Sequence, residues 1–154
     1  MSRSLTRVTA ALRDAGLTGA PVELGDCRTA QAAADAVGCT VDQIAKSIVF
    51  TRSEGCALFL TAGGNQVDGV RASALAGGRL TRADADTVRA VTGFAIGGVS
   101  PVGHLTPVPM WLDARLMAFD VVWAAAGTPR HVFPVAPGDL LRITGATVAD
   151  FTLR

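Results

Sequence analysis

Phe94-Ala95-Ile96-Gly97-Gly98-Val99-Ser100-Pro101-Val102-Gly103-His104 is the stretch from which the rest of the chain is read. An apolar run ends at Ile96. Glycines at 97, 98 and 103 then remove Cβ from three points of one short loop, so backbone N–H groups can turn toward something bound close by. Pro101 stiffens the loop. A rigid segment rich in donors and short of side chains suits a phosphate, a carboxylate or the oxyanion of a reacting ester. The plainer alternative is a glycine-rich turn between two strands.

Working outward, the chain has 154 residues, a length that fits a single domain over 1–154 with one core. Apolar residues make up 49% and charged residues 18%, a globular rather than disordered balance. A net charge of +1 gives no global attraction for DNA or RNA, so any RNA must be held by a local patch. No window reaches the roughly 18 apolar residues of a membrane span. Residues 1–7 lack the apolar core of a signal peptide, and the expected location is the cytoplasm. Cys27, Cys39 and Cys56 form no CxxC pair and are odd in number, so they read as reduced thiols.

Upstream of the loop, Leu5, Val8 and Leu12 share a helical face that ends near Gly16. Pro21–Leu24 is a brief extended piece. Thr29 can cap a helix over Ala30–Val37, stopped by Gly38. Thr40-Val41-Asp42-Gln43 has capping-box spacing and predicts a short helix running into Lys46. Ile48–Phe50 and Ala57–Leu60 read as an antiparallel hairpin, and Thr61–Asn65 as the turn leaving it. Val67, Val70, Ala74 and Leu75 keep the spacing of a further helix up to Gly77-Gly78. Thr81 is the expected cap of the next, closed by Gly93.

Downstream, Val108–Asp113, Val121–Ala125 and His131–Val135 read as strands, and Pro137 opens a last helical turn. Strands and helices alternate irregularly, which predicts an α+β fold with a mixed, partly closed β-sheet or barrel flanked by helices.

Conventional chemistry is sparse. Two histidines, His104 and His131, fall short of a zinc set, so no metal and no cofactor are expected. There is no GxSxG elbow and no Walker lysine, and Gly97-Gly98 lacks both the pattern and the following helix of a dinucleotide fold. Lys46 places one cation in the apolar run Ile44–Phe50. It reads either as a helix-terminal lysine snorkelling to water or as a cation facing a cleft, ready for a phosphate or ribose. Asp113 ends a strand and can cap the following turn.

The order of these segments resembles the YbaK/EbsC family, aminoacyl-tRNA editing domains that also occur as an insertion in bacterial-type prolyl-tRNA synthetases. The matching stretches are Ile44–Ser47, Thr61–Asp68, Thr92–Gly103, Pro109–Asp113, Ala125–Gly127 and Pro137–Leu140. Gly97 to Pro101 fits the family's GxxxP loop. The resemblance implies a free-standing YbaK-like deacylase that cleaves, in trans, the ester of mischarged tRNA. The expected substrate is tRNA for proline carrying a small wrong amino acid.

It further implies that Lys46 binds the terminal phosphate or ribose, that the Gly97 and Gly98 amides form an oxyanion hole, and that a ribose hydroxyl of the substrate helps activate water. Val99, Ser100 and Pro101 would shape the aminoacyl wall. Ser47 and His131 would sit where members differ in the amino acid accepted, with Asp113 and Gly127 completing the substrate-binding set. The implied partners are the aminoacyl end of tRNA and prolyl-tRNA synthetase, with no membrane or DNA. His104 departs from the small or apolar residue expected after Gly103 and receives no role. The alternative reading is a non-catalytic module of the same fold that binds tRNA ends or a synthetase.

Overall fold

The computed structural model of the protein describes residues 2–25 and 27–154. Its helices are α1 (Arg3–Asp14), α2 (Ala30–Val37), α3 (Gly69–Ala76), α4 (Ala85–Thr92) and α5 (Pro137–Thr144). Its strands are β1 (Val22–Glu23), β2 (Ile44–Thr51), β3 (Cys56–Ala62), β4 (Thr81–Arg82), β5 (Met110–Asp113), β6 (Val122–Ala125), β7 (His131–Val135) and β8 (Thr147–Ala149). They form one mixed sheet in the order β1-β7-β6-β2-β3-β5-β8, with β4 added to β2. The α+β expectation holds, and the sheet stays open, with β1 and β8 as its edges.

β3 lies at the centre, and every residue of Cys56–Ala62 is buried. That explains its unbroken apolar sequence, because both faces are covered. Leu58 and Leu60 join Leu5, Val8 and Leu12 of α1, Val88 of α4 and Leu140 of α5 in the larger core. Phe59 points the other way, stacked on Trp111 at 5.0 Å and meeting Phe50 and Phe151 edge-on at 5.6 and 4.9 Å. Ala72 of α3 packs there, and Ala33 and Ala34 of α2 close a third cluster with Ile44.

Several expectations are corrected. Gln43 does reach back to the Thr40 N–H, yet only a 3-10 turn forms over Val41–Gln43, and β2 begins at Ile44. Pairing of Ala45–Thr51 with β3 outweighs one capped turn, so Lys46 is a strand residue rather than a helix-terminal one. In α3 the buried residue is Ala72, while Val70 is 82% exposed, because the helix lies on Phe59 and Phe151 through its small side. Thr81 is not a cap. Thr81 and Arg82 pair with Thr51 and Phe50, and Asp84 caps α4 by accepting from Thr87 N. Strand β8 had no sequence signal; it is set by parallel pairing of Trp111–Asp113 with Thr147–Ala149.

Candidate functional site

β2 is bordered by β3 along its length, but its other edge is shared. Ile44 and Ala45 pair with β6, Phe50 and Thr51 pair with β4, and Ala83 N donates to Val49 O. Strand alternation directs the N–H and C=O of Ser47 to the same edge as the Val49 carbonyl. The ladder is therefore open at Ser47, between two partner strands that each stop short. Backbone left open in the middle of a sheet is a place where a ligand can bind.

Two hollows meet at this opening. The larger, about 540 Å³, is lined by Lys46, Ile48, Phe50, Asn65, Val67 and Arg82, among others. The smaller, about 40 Å³, is lined by Ser47, Val49, Ala83, Val88, Gly97 and Val99, with Ile48 and Arg82 common to both. The small one has room for only a few heavy atoms. The Ser47 Oγ is enclosed yet has no hydrogen-bond partner among the described residues.

Lys46 is positioned from behind. Its Nζ donates to Asn65 O at 2.8 Å, the Asn65 side-chain amide donates to Asp113 at 2.9 Å, and the same carboxylate oxygen accepts from Ala62 N at 3.0 Å. The other Asp113 oxygen accepts from Arg115 N at 2.9 Å. Asp113, 4% exposed, thus fixes the Thr61–Asn65 turn and lines neither hollow. Burial, followed by the nearby Arg82 charge, lowers the pKa of Lys46, and Asp113 and Asp42 oppose the shift.

The glycine loop is held at both ends by α1. Arg7 Nε donates to Gly103 O at 2.6 Å, its terminal amino group donates to Gly93 O at 3.1 Å, and the guanidinium lies 4.5 Å from the centre of the Phe94 ring. His104 Nε2–H donates to Ser100 O at 2.5 Å, and the ring meets Phe94 edge-on. Desolvation, followed by the charge of Arg7, depresses the His104 pKa despite the Ser100 bond. The ring is therefore neutral near pH 7. This gives His104 the structural place that sequence left open.

Inside the loop, the Gly98 N–H donates to Ala95 O at 2.9 Å. In this structure that amide closes a turn, and the loop's unpartnered donors are its neighbours. Gly98 is a glycine for a different reason: a Cβ there would sit 2.6 Å from the Thr128 carbonyl carbon. The N–H groups of Gly97 and Val99 have no protein acceptor among the described residues, and Val99 is 4% exposed.

The remaining expected site residues lie elsewhere. Ser100 is fully buried, its Oγ accepting from Val102 N, and Pro101 borders a separate hollow with His104. Gly127 faces α1, where a Cβ would meet Ser4 O at 2.8 Å. His131 Nδ1 bonds Thr128 Oγ1 at 2.6 Å, bracing the turn against which Gly98 packs. Sequence reasoning missed Arg7, Asn65 and Arg82 as site residues. Of the three, only Asn65 carried a signal, as the last residue of the turn leaving the hairpin.

Among the described residues, no three or more His, Cys, Asp or Glu side chains are grouped to hold a metal ion. No helix among them is long and apolar enough to cross a membrane.

Residues 25–143 match the profile of a family described as an aminoacyl-tRNA editing domain. The Bacillus subtilis protein YwhH is 31% identical over 114 residues, covering 73% of this chain and 72% of that protein. A proline–tRNA ligase of Shouchella clausii is 29% identical over 121 residues, covering 77% of this chain but only 21% of the ligase. A crystal structure described as that of a candidate trans-editing enzyme for prolyl-tRNA synthetase superposes with a TM-score of 0.95. It is 49% identical and covers 100% of this chain and 99% of that one.

Proposed function

Because the chain belongs to the aminoacyl-tRNA editing domain family, of YbaK type, we propose that it is a free-standing deacylase. Its substrate is tRNA, of the proline-accepting kind, mischarged with a small amino acid. The observation that carries this reading is the pair of hollows at the open edge of β2, one bearing Lys46 and the other holding unpartnered amides. Lys46 binds a phosphate or the ribose of the terminal nucleotide in the larger hollow. The acyl side chain enters the smaller one beside Ser47, Val49 and Val99.

The chemistry asks little of side chains. Water adds to the ester carbonyl, the bond to the ribose oxygen breaks, that oxygen takes a proton, and the amino acid leaves as a carboxylate. A neighbouring ribose hydroxyl of the substrate helps orient or deprotonate the water. The N–H groups of Gly97 and Val99 stabilise the oxyanion; each preorganised donor of this kind is worth about 100- to 1000-fold. Ser100, His104 and Arg7 hold that loop in place rather than touching substrate. The whole chain, 1–154, works as a single domain in the cytoplasm, alone or with prolyl-tRNA synthetase.

A non-hydrolysable 3′-amide analogue of an aminoacyl-adenosine tests the loop assignment by NMR. The amide signals of Gly97 and Val99 should shift and slow in hydrogen exchange on binding, while Gly98 changes little. A response confined to Gly98 or absent from the loop contradicts the assignment.

A further inference from the structure

Beyond the acyl end, a longer substrate must continue across the protein surface, and β2 points the way. Alternation places Lys46, Ile48, Phe50 and the next residue of that parity, Arg52, along one face. Arg82 stands across from Phe50 in the β2–β4 register, its guanidinium carbon 5.9 Å from the ring centre. Past the end of β2 lies a third hollow of about 590 Å³, lined by Thr51, Arg52, Ser53, Glu54, Arg79 and Thr81 together with the Gly77-Gly78 turn.

Arg52 is the unusual residue here. Its Nε is enclosed, yet it has no hydrogen-bond partner among the described residues. A buried guanidinium N–H without an acceptor is costly, and a ligand acceptor that reached it would relieve that cost. The lining of this hollow is mostly hydroxyl, glycine and arginine, with Glu54 and Ala76. Ala76 is its one apolar side chain, too small to anchor a protein partner, whereas a guanidinium fork matches phosphate oxygens. Lys46, Arg82, Arg52 and Arg79 line the large and the third hollow, and Glu54, an exposed residue, is the one acid that lines either. In a chain of net charge +1 that is a local concentration of cations. The six residue steps from Lys46 to Arg52 span ~20 Å of extended chain, the reach of several nucleotides.

We propose that these two hollows form one phosphate track for the strand leading to the aminoacylated end of tRNA, with Arg52 and Arg79 gripping phosphates upstream of the terminal nucleotide. This inference rests on the deacylase reading for the direction of the strand. It also accounts for how a nearly neutral protein holds a polyanion.

The test is binding of uncharged tRNA across a salt series, paired with hydrolysis of a short 3′-aminoacyl-adenosine that has no upstream phosphates. The double variant Arg52→Gln/Arg79→Gln should bind tRNA at least about tenfold more weakly at low salt, and its log K against log salt slope should shrink by about 1.4, the loss of two single-strand phosphate contacts. Hydrolysis of the short ester should be unchanged, and Arg142→Gln, on an exposed helix residue outside both hollows, should alter neither readout. Wild-type affinity and slope in the double variant overturn the track, as does weaker binding with an unaltered slope. So does a variant that keeps RNA affinity but no longer binds prolyl-tRNA synthetase, which would make the surface a protein contact. Failure of the wild type to cleave the short ester would instead count against the deacylase reading, and the salt slope would still decide the track.

Discussion

Lys46 donates one of its ammonium N–H groups to Asn65 O and keeps the others for the cavity. Its pKa is lowered mainly by burial and then by Arg82, so the folded protein loses this proton below the ordinary lysine range. Between the two values the unfolded chain holds the extra proton; folding stability therefore rises with pH across that window while anion binding falls. The affinity of wild type for tRNA should drop on the alkaline side earlier than that of Lys46→Arg, and parallel titrations of the two proteins would check it. Gly98→Ala makes a different prediction. Its Cβ would press on the Thr128 backbone at 2.6 Å, which a flexible side chain could yield to but a main chain cannot. The expected cost is ~1–3 kcal/mol of stability, read from denaturant melts, with a larger loss of hydrolysis. At this level the sequence singled out residues near the opening but not what each of them touches. Lys46, Ser47 and Gly97 do border the opening, but Gly98, Gly127 and Asp113 are needed for packing or bracing, and only three-dimensional neighbours reveal that.

Helix α1 lies outside the matched stretch of 25–143, yet it supplies the clasp on the glycine loop. Arg7→Ala removes two bonds to the loop's flanking carbonyls and a contact over Phe94, and should lower stability by roughly 1–3 kcal/mol. Hydrolysis should fall further than stability, chiefly in kcat, because the loop loses its preorganisation. Comparing kcat and KM with the urea midpoint for Arg7→Ala and Arg7→Lys separates positioning from simple destabilisation. His104 works on the same element. Its depressed pKa means that the unfolded chain takes up the proton first as pH falls through about 6.5, so stability declines there. His104→Gln should flatten that decline in urea melts between pH 7 and 5. Elements with local signals were legible: α2 starts after Thr29 and ends before Gly38 as its caps predict. Elements fixed by distant pairing were not. β2 overrode a capping box, β4 replaced a helix cap, and β8 exists only because β5 offers it an edge.

The molecule as a whole is a mixed sheet whose helices cover both faces, opened at one internal edge where β4 and β6 both stop short of Ser47. No stretch of sequence announces that gap, since it is made by two short strands ending. The glycine loop lies beside it, so a rigid scaffold presents unpaired amides next to a cavity too small for a bulky side chain. That arrangement suits a labile ester, for which orientation and oxyanion stabilisation suffice. The most direct measurement is amino acid release from proline-accepting tRNA charged separately with alanine, serine, cysteine, threonine, 2-aminobutyrate or proline, using wild type and Lys46→Ala. The account predicts that a small non-cognate amino acid is cleared, proline is spared, and Lys46→Ala is slower by about 10- to 100-fold, the worth of a charge-assisted hydrogen bond. Failure of the wild type to clear any of the five wrong amino acids, or clearance that Lys46→Ala leaves untouched, would contradict it.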